Sequence, residues 1–362
     1  MAKPMTVTVR SFAKINFGLR IGPRRADGFH QLRTAYQTIG LHDGMRLSVE
    51  RGAGIEIRCA DPRVPRDERN TCFKILERAM AALGARRRVV LEIEKRLPVQ
   101  GGLGGASGNA VAALLALEIA LQKQLPAQER MRIAAEVGSD VPLFLVGGTV
   151  LGVGRGEDVY PLPELPATAC VVATPEIAVS TPRAFADWDS LHVPRSPSET
   201  TGDPSTSSGQ AARRPVDREG TAGKLTGGEP SDRIDAFGRE ISAWLSSVPS
   251  MKGRFSGVPA KGRGRAETLL LDLVRTGIEN DFEKVVFPQY PVLRDVKCAI
   301  EKTGAVYASL SGSGSAVYGL FQGKAAAEKA ARRLRKSGVP AQATVTLTRQ
   351  QYWKRLRVSG FE

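Results

Sequence analysis

The chain has 362 residues, of which 42% are hydrophobic and 25% charged, and a formal net charge of +15. That composition suits a globular protein of about two domains and excludes a wholly disordered or collagenous chain. No apolar run approaches the roughly 18 residues of a membrane span, and no apolar core follows the basic residues of MAKPMTVTVR, so neither a membrane helix nor a signal peptide is expected.

In chain order, TVTVRSF (6–12), AKINFGLRIG (13–22), MRLSVE (45–50) and GIEIRC (54–59) alternate apolar and polar positions and read as strands. RNTCFKILERAMAALG (69–84) has helical spacing closed by Gly84, and VVLEIEKRLP (89–98) is a strand closed by Pro98. Ser107 to Leu121 is an apolar helix, and Ala127 to Gly138 an amphipathic one opened by Pro126 and stopped by glycine. Residues 195–232 contain no aromatic, and 21 of these 38 positions are Ser, Thr, Gly or Pro, so the segment reads as a disordered insertion. The Gly- and Lys/Arg-rich stretch 252–265 reads as loop, and no solenoid repeat is present.

The excess of cations invites a nucleic-acid reading, because clustered Lys and Arg neutralise phosphates. The densest runs, Arg86 to Arg88 and Arg332, Arg333, Arg335 and Lys336, carry no interleaved aromatics on which bases would stack. They read as solvated helix faces and loops, with a positive potential that attracts anionic small molecules. Cys59, Cys72, Cys170 and Cys298 share no metal-ligand spacing, which points to a reducing cytoplasm.

Three segments carry chemistry. In LPVQGGLGGASGNAV, Gly101, Gly102, Gly104 and Gly105 free the backbone so that successive N–H groups converge on an anion where a helix begins. No Gly-Lys-Ser/Thr follows and no Rossmann unit opens there; the alternative is a tight turn capped by Ser107. EVGSDVPLFLVGG sets Asp140 after a helix-ending glycine, either as a cap for the next turn or as a functional acid. AVYASLSGSGSAVYGLF sets the small-residue loop Ser311 to Ser315 between apolar runs, able to approach a ligand.

Together with FAKINFGLRIGPRRADGFHQLRT at the start, these segments resemble the 4-diphosphocytidyl-2-C-methyl-D-erythritol kinases, a branch of the superfamily of galactokinase, homoserine kinase, mevalonate kinase and phosphomevalonate kinase. The resemblance covers nearly the whole chain apart from the insertion. Its most specific part is Ala13-Lys14-Ile15-Asn16 followed by Arg25-Ala26-Asp27-Gly28-Phe29-His30, an element that other branches lack. The family's phosphate loop is present as Pro98 to Asn109, with Gln100 and Ala106 in place of glycines and Gly108 in place of a serine. Gly138-Ser139-Asp140-Val141-Pro142 and Ser311 to Gly314 complete the set.

The resemblance implies an α+β, two-domain GHMP-kinase-like fold with the active site in the interdomain cleft: residues 1–155 as the ATP-binding domain and 156–362 as the C-terminal domain. It implies ATP-dependent phosphorylation of the C2 hydroxyl of 4-diphosphocytidyl-2-C-methyl-D-erythritol, a step of isoprenoid precursor synthesis. Asp140 would take the hydroxyl proton, and Lys14 would orient Asp140 and offset developing charge. Pro98, Gly101, Gly102, Leu103, Gly104, Gly105, Ala106 and Ser107 would hold ATP. Asn70 would lie near adenine, or serve as the N-cap of the helix that follows it.

Asn16, Asp27, Phe29, His30, Phe185, Gly312 and Ser313 would bind substrate, with the rings of Phe29 and Phe185 closing on the cytosine and His30 reading its edge. The simpler alternatives are a turn aromatic for Phe29 and a core aromatic for Phe185. Mg²⁺ would arrive with the nucleotide, held largely by phosphate oxygens and water, with no protein ligand assigned. The expected partner is the small-molecule substrate, without nucleic acid or membrane, and the oligomeric state stays open. The alternatives are another kinase of the superfamily, of mevalonate or homoserine type, or a basic nucleic-acid-binding protein.

Overall fold

The computed structural model of the chain describes residues 5–192 and 279–356. The segments 195–232 and 252–265, expected to be insertion and loop, lie outside the described residues.

Met5–Arg24 (β1) and His30–Glu50 (β2) form one long antiparallel hairpin. The two strands expected over 6–12 and 13–22 are a single one, because register shifts at Phe12/Ala13 and Asn16/Gly18 absorb the break in alternation without ending the ladder. Residues 34–39 are buried on both faces, which hides the period-two signal, so the alternation marked only the last part of β2.

Gly54–Cys59 (β3) runs parallel to Arg88–Glu94 (β4), and Thr71–Ala82 (α1) makes the crossover between them. β4 pairs with residues 44–50 of β2, while Thr149–Val153 (β5) pairs with residues 34–37. Asp158–Pro161 (β6) forms the far edge beside β5, so this first sheet runs past residue 155.

Gly105–Leu121 (α2) packs on β1, β2 and α1, and Ala127–Val137 (α3) packs on α1. α2 is apolar nearly all round and sits inside the core; fully burying a leucine such as Leu114 or Leu117 contributes roughly 1.5–3 kcal/mol. Its one acid, Glu118, is buried but accepts hydrogen bonds from the Leu125 N–H at 2.9 Å and Arg130 Nε at 2.8 Å. Leu143–Val146 (α4) is a single turn leading into β5.

A second, antiparallel sheet holds Ala169–Ala173 (β7), Tyr307–Leu310 (β8), Val317–Phe321 (β9) and Ala341–Val345 (β10) in the order β10-β7-β9-β8. Around it lie Thr181–His192 (α5), Glu283–Gln289 (α6), Pro291–Lys302 (α7) and Lys324–Lys336 (α8). Leu19, Ile21 and Leu32, near the turn of the β1–β2 hairpin, are buried in this second core. Arg349–Leu356 (α9) returns to the first core, where the Tyr352 hydroxyl donates to the Phe144 carbonyl at 2.7 Å. The described residues therefore form two sheets laced together by one hairpin and one C-terminal helix.

Candidate active site

The turn after α3 brings Asp140 against the middle of the hairpin. Its Oδ2 lies 3.3 Å from Lys14 Nζ, and its Oδ1 accepts the Tyr36 hydroxyl at 2.9 Å. Asp140 is not the cap of α4, whose N-cap is Pro142. Lys14 is 3% exposed and Asp140 about a third, so the lysine is walled in while the carboxylate stays open to a ligand. Lys14 also donates to Asn16 Oδ1 at 2.7 Å, Asn16 to Thr34 Oγ1 at 2.8 Å, and Thr34 to the Gly18 carbonyl at 2.7 Å. A buried ammonium is tolerable only when its protons find acceptors, and this chain of bonds fixes its rotamer. Burial first, and then the facing Asp140 carboxylate, pushes the Tyr36 hydroxyl well above its ordinary pKa, so that it keeps its proton and acts as a hydrogen-bond donor.

The nine residues expected to bind ATP, Pro98, Gly101, Gly102, Leu103, Gly104, Gly105, Ala106, Ser107 and Asn70, line one cavity of about 270 Å³. Gln100, Gly102 and Gly104 take positive φ, and α2 begins at Gly105 without a side-chain cap, leaving its first N–H groups turned toward the loop. Ser107 lies inside the first turn of α2 and is not its cap. Asn70 does cap α1, accepting the Cys72 N–H at 2.8 Å, and also lines the cavity. The Lys14 N–H donates to the Leu103 carbonyl at 2.9 Å, tying the loop to β1.

The glycine at 108 has a steric reason. A Cβ there would sit 2.7 Å from the Phe12 carbonyl and 3.0 Å from Ser11 Oγ, so glycine lets α2 lie directly on β1. The carboxylate of Asp43, fully buried, accepts from Lys95 Nζ at 2.6 Å, from the N–H groups of Arg96 and Leu97, and from Asn109 Nδ2 at 3.1 Å. Lys95 lines the cavity beside Gly105.

The C-terminal glycine loop packs against the first glycine loop itself. Ser311 Oγ donates to the Gly102 carbonyl, and the Ala316 N–H to the Gly101 carbonyl at 3.0 Å. Gly312 lies beside Lys14 Nζ, and Ser313 Oγ is 2.7 Å from Thr181 Oγ1. Asn280 Nδ2 donates to the carbonyls of Leu310 and Gly312 and holds the loop from behind.

At the hairpin tip, Asp27 accepts the Phe29 N–H and pairs with Arg25, which shapes the turn. His30 stacks on Phe185 with centroids 4.9 Å apart and planes 7° from parallel, and its Nε2 lies 2.6 Å from Asp189 Oδ1. Phe185 also meets Phe282 edge-on. Phe29 is 51% exposed, and Arg155 lies over its ring at 4.9 Å. The ring that Phe185 stacks on is thus His30, and a planar ligand would have to displace one of them or use an outer face.

Sequence reasoning missed Tyr36, Asp43, Lys95 and Arg155. Tyr36 was readable in principle, since an alternating strand from His30 would place it on the same face as Thr34, but the unbroken burial of 34–39 concealed that strand. Among the described residues, no group of three or more His, Cys, Asp or Glu is arranged to hold a metal ion.

The GHMP kinases N-terminal domain matches residues 70–148 and the GHMP kinases C-terminal domain residues 265–340. The chain is 34% identical over 314 residues to a 4-diphosphocytidyl-2-C-methyl-D-erythritol kinase of Solibacter usitatus, covering 87% of this chain and 81% of the relative. It is 32% identical to the kinase of the same name from Synechococcus elongatus, covering 92% and 91%. A crystal structure of 4-(cytidine 5'-diphospho)-2C-methyl-D-erythritol kinase superposes with a TM-score of 0.62 at 26% identity, covering 94% of this chain and 98% of that one. A homoserine kinase from Cytophaga hutchinsonii shares the fold, with a TM-score of 0.66 at 19% identity and 99% of each chain covered. With the two glycine loops, the Lys14–Asp140 pair and this extent of identity, the chain belongs to the 4-diphosphocytidyl-2-C-methyl-D-erythritol kinase family.

Proposed function

We propose that the chain transfers the γ-phosphoryl group of ATP to the C2 hydroxyl of 4-diphosphocytidyl-2-C-methyl-D-erythritol, the substrate in its relatives' name, and so serves isoprenoid precursor synthesis. The observation that carries the chemistry is the contact of Asp140 with Lys14 at 3.3 Å, beside a glycine loop at a helix start. In this reading the hydroxyl proton passes to the Asp140 carboxylate as the oxygen attacks the γ-phosphorus. The bond from that phosphorus to the β–γ bridging oxygen breaks and ADP leaves. Lys14 offsets the charge and the phosphate-loop N–H groups hold the transferred end of the nucleotide.

Asn70 to one side, Pro98 and Gly101 to Ser107 hold ATP, while Asn16, Asp27, Phe29, His30, Phe185, Gly312 and Ser313 hold the cytidine-bearing substrate. Mg²⁺ belongs to the nucleotide in this reading. The chemistry of the cavity supports that, since it offers backbone N–H groups and cations and would leave the ion to phosphate oxygens and water. The two sheets correspond to an ATP domain and a C-terminal domain around the site. A cytoplasmic location without a nucleic-acid partner completes the proposal; four free cysteines support the compartment.

The test is ATP consumption with 4-diphosphocytidyl-2-C-methyl-D-erythritol, mevalonate and homoserine side by side. Turnover with the first alone is expected, and turnover with either of the others instead would overturn the reading.

A further inference from the structure

Tyr36 has a hydroxyl whose hydrogen-bond acceptor is the proposed base, and the fold makes room for it at some cost. The side chain is 2% exposed in the middle of β2, and its O–H donates to Asp140 Oδ1 at 2.9 Å while Lys14 holds the other carboxylate oxygen. Its ring lies under Lys14 Nζ, 5.6 Å from the centroid, so the same side chain supports both partners of the pair. Two glycines clear its space. A Cβ at Gly152 would sit 2.4 Å from the Tyr36 ring, and one at Gly156 would sit 2.5 Å from the hydroxyl oxygen.

Gly152 has no positive φ, so nothing in its backbone calls for glycine; the ring does. A phenylalanine would need the same clearance at Gly152 and less at Gly156, whose Cβ contact is with the hydroxyl oxygen alone at close range.

We infer that Tyr36 is a positioning residue for Asp140: its hydroxyl fixes the carboxylate so that the remaining lone pairs of Oδ1 and Oδ2 face the acceptor hydroxyl. The inference rests on Asp140 being the base of the proposed reaction. A carboxylate has about four lone-pair directions, and with one engaged by Tyr36 and one by Lys14 the group loses its freedom to rotate about its bond to Cβ. The other charged groups of the neighbourhood are Glu157, which faces Tyr36, and Arg155, whose Nε donates to Glu157 at 2.8 Å; they offset one another. Burial keeps the Tyr36 proton in place throughout, which suits a fixed donor and not a proton shuttle.

The experiment compares Tyr36→Phe, Asp140→Asn and the double variant, each as the full chain, by steady-state kinetics and by thermal melting. Tyr36→Phe is expected to lower kcat about tenfold and to leave both KM values within about twofold. In the Asp140→Asn background the same change is expected to alter the residual rate by less than about twofold, because its path of action is already gone. An unchanged kcat in Tyr36→Phe overturns the inference while leaving Asp140 as the base. So does an equal loss in both backgrounds, which would mark a role through packing. Near-normal turnover in Asp140→Asn overturns the base reading itself, and the inference with it.

Discussion

The hydroxyl of Ser311 donates to the carbonyl of Gly102 at 2.9 Å, so two glycine loops more than 200 residues apart are built as one wall. The contact is tight: a Cβ on Gly314 would lie 2.3 Å from the Gly102 nitrogen and 2.4 Å from the Gly101 carbonyl carbon. Backbone atoms cannot move aside as a flexible side chain would. Gly314→Ala is therefore expected to shift the phosphate loop and raise the KM for ATP at least about tenfold, in line with an overpacking cost of about 1–3 kcal/mol. Gly323→Ala, where nothing lies within 4 Å, is the control and should leave ATP kinetics unchanged. Equal behaviour of the two variants in the kinetic assay would refute the argument.

Asp140→Asn keeps the shape of the side chain and removes its capacity to accept a proton. Turnover is expected to fall by two or more orders of magnitude, as loss of a general base does, while nucleotide affinity measured by titration stays within about twofold. Near-normal turnover would remove Asp140 from the mechanism.

The stack of His30 on Phe185 gives a selective test of the two sites. Phe185→Ala and His30→Ala are each expected to weaken apparent affinity for the cytidine-bearing substrate about tenfold, because base stacking is worth roughly 1–3 kcal/mol. Apparent affinity for ATP should move by less than about twofold. Equal losses for both ligands would make the stack a structural one, and a loss confined to ATP would mean that the two sites are exchanged.

Four of the six tyrosines resist ionisation in the folded state. Burial raises Tyr36, Tyr318 and Tyr352 well above the ordinary tyrosine range and brings Tyr307 up to about 12. A group with a raised folded pKa binds its proton more tightly when native, so its contribution is complete below the unfolded value near pH 10 and is lost as pH climbs from there. Stability against denaturant is thus expected to be flat with respect to these groups up to about pH 9 and to fall steeply above about pH 10. The matching signal is tyrosinate absorbance: the last four tyrosines should ionise together with unfolding, and stepwise ionisation in a still-folded protein would contradict the prediction.

Much of the candidate site was legible because its residues sit in short, contiguous motifs. Gly101 to Ser107, Lys14 to Asn16 and Asp27 to His30 each need particular residue types in an unbroken run, which a one-dimensional reading can see. The helices α1, α2 and α3 were legible for a related reason, since each is bounded on at least one side by a residue that punctuates the chain, such as Gly104 before α2 and Gly138 after α3. Tyr36 and Asp43 were not legible because their meaning lies in partners 104 and 52 residues away, which only the folded sheet supplies. The packing of Gly314 on Gly102 was hidden for the opposite reason: a small-residue loop looks the same in sequence whether it makes way for a ligand or for another loop.

His30 and Tyr36 are six residues apart on β2, and the two register shifts in this stretch put their extra residues on β1, so β2 keeps its alternation and both project from the same face of it. At about 3.3 Å per residue the strand separates them by roughly 20 Å of contour. One end of this gauge touches the aromatic pair at the hairpin tip and the other touches the carboxylate. A strand serves well as a gauge because it cannot be shortened gradually. Deleting one residue between positions 31 and 35 would not bring the two ends 3.3 Å closer; it would turn one of them to the far side of the sheet. Length along this part of β2 is thus quantised in pairs of residues, and the span between its two ends can drift only in steps of about 7 Å.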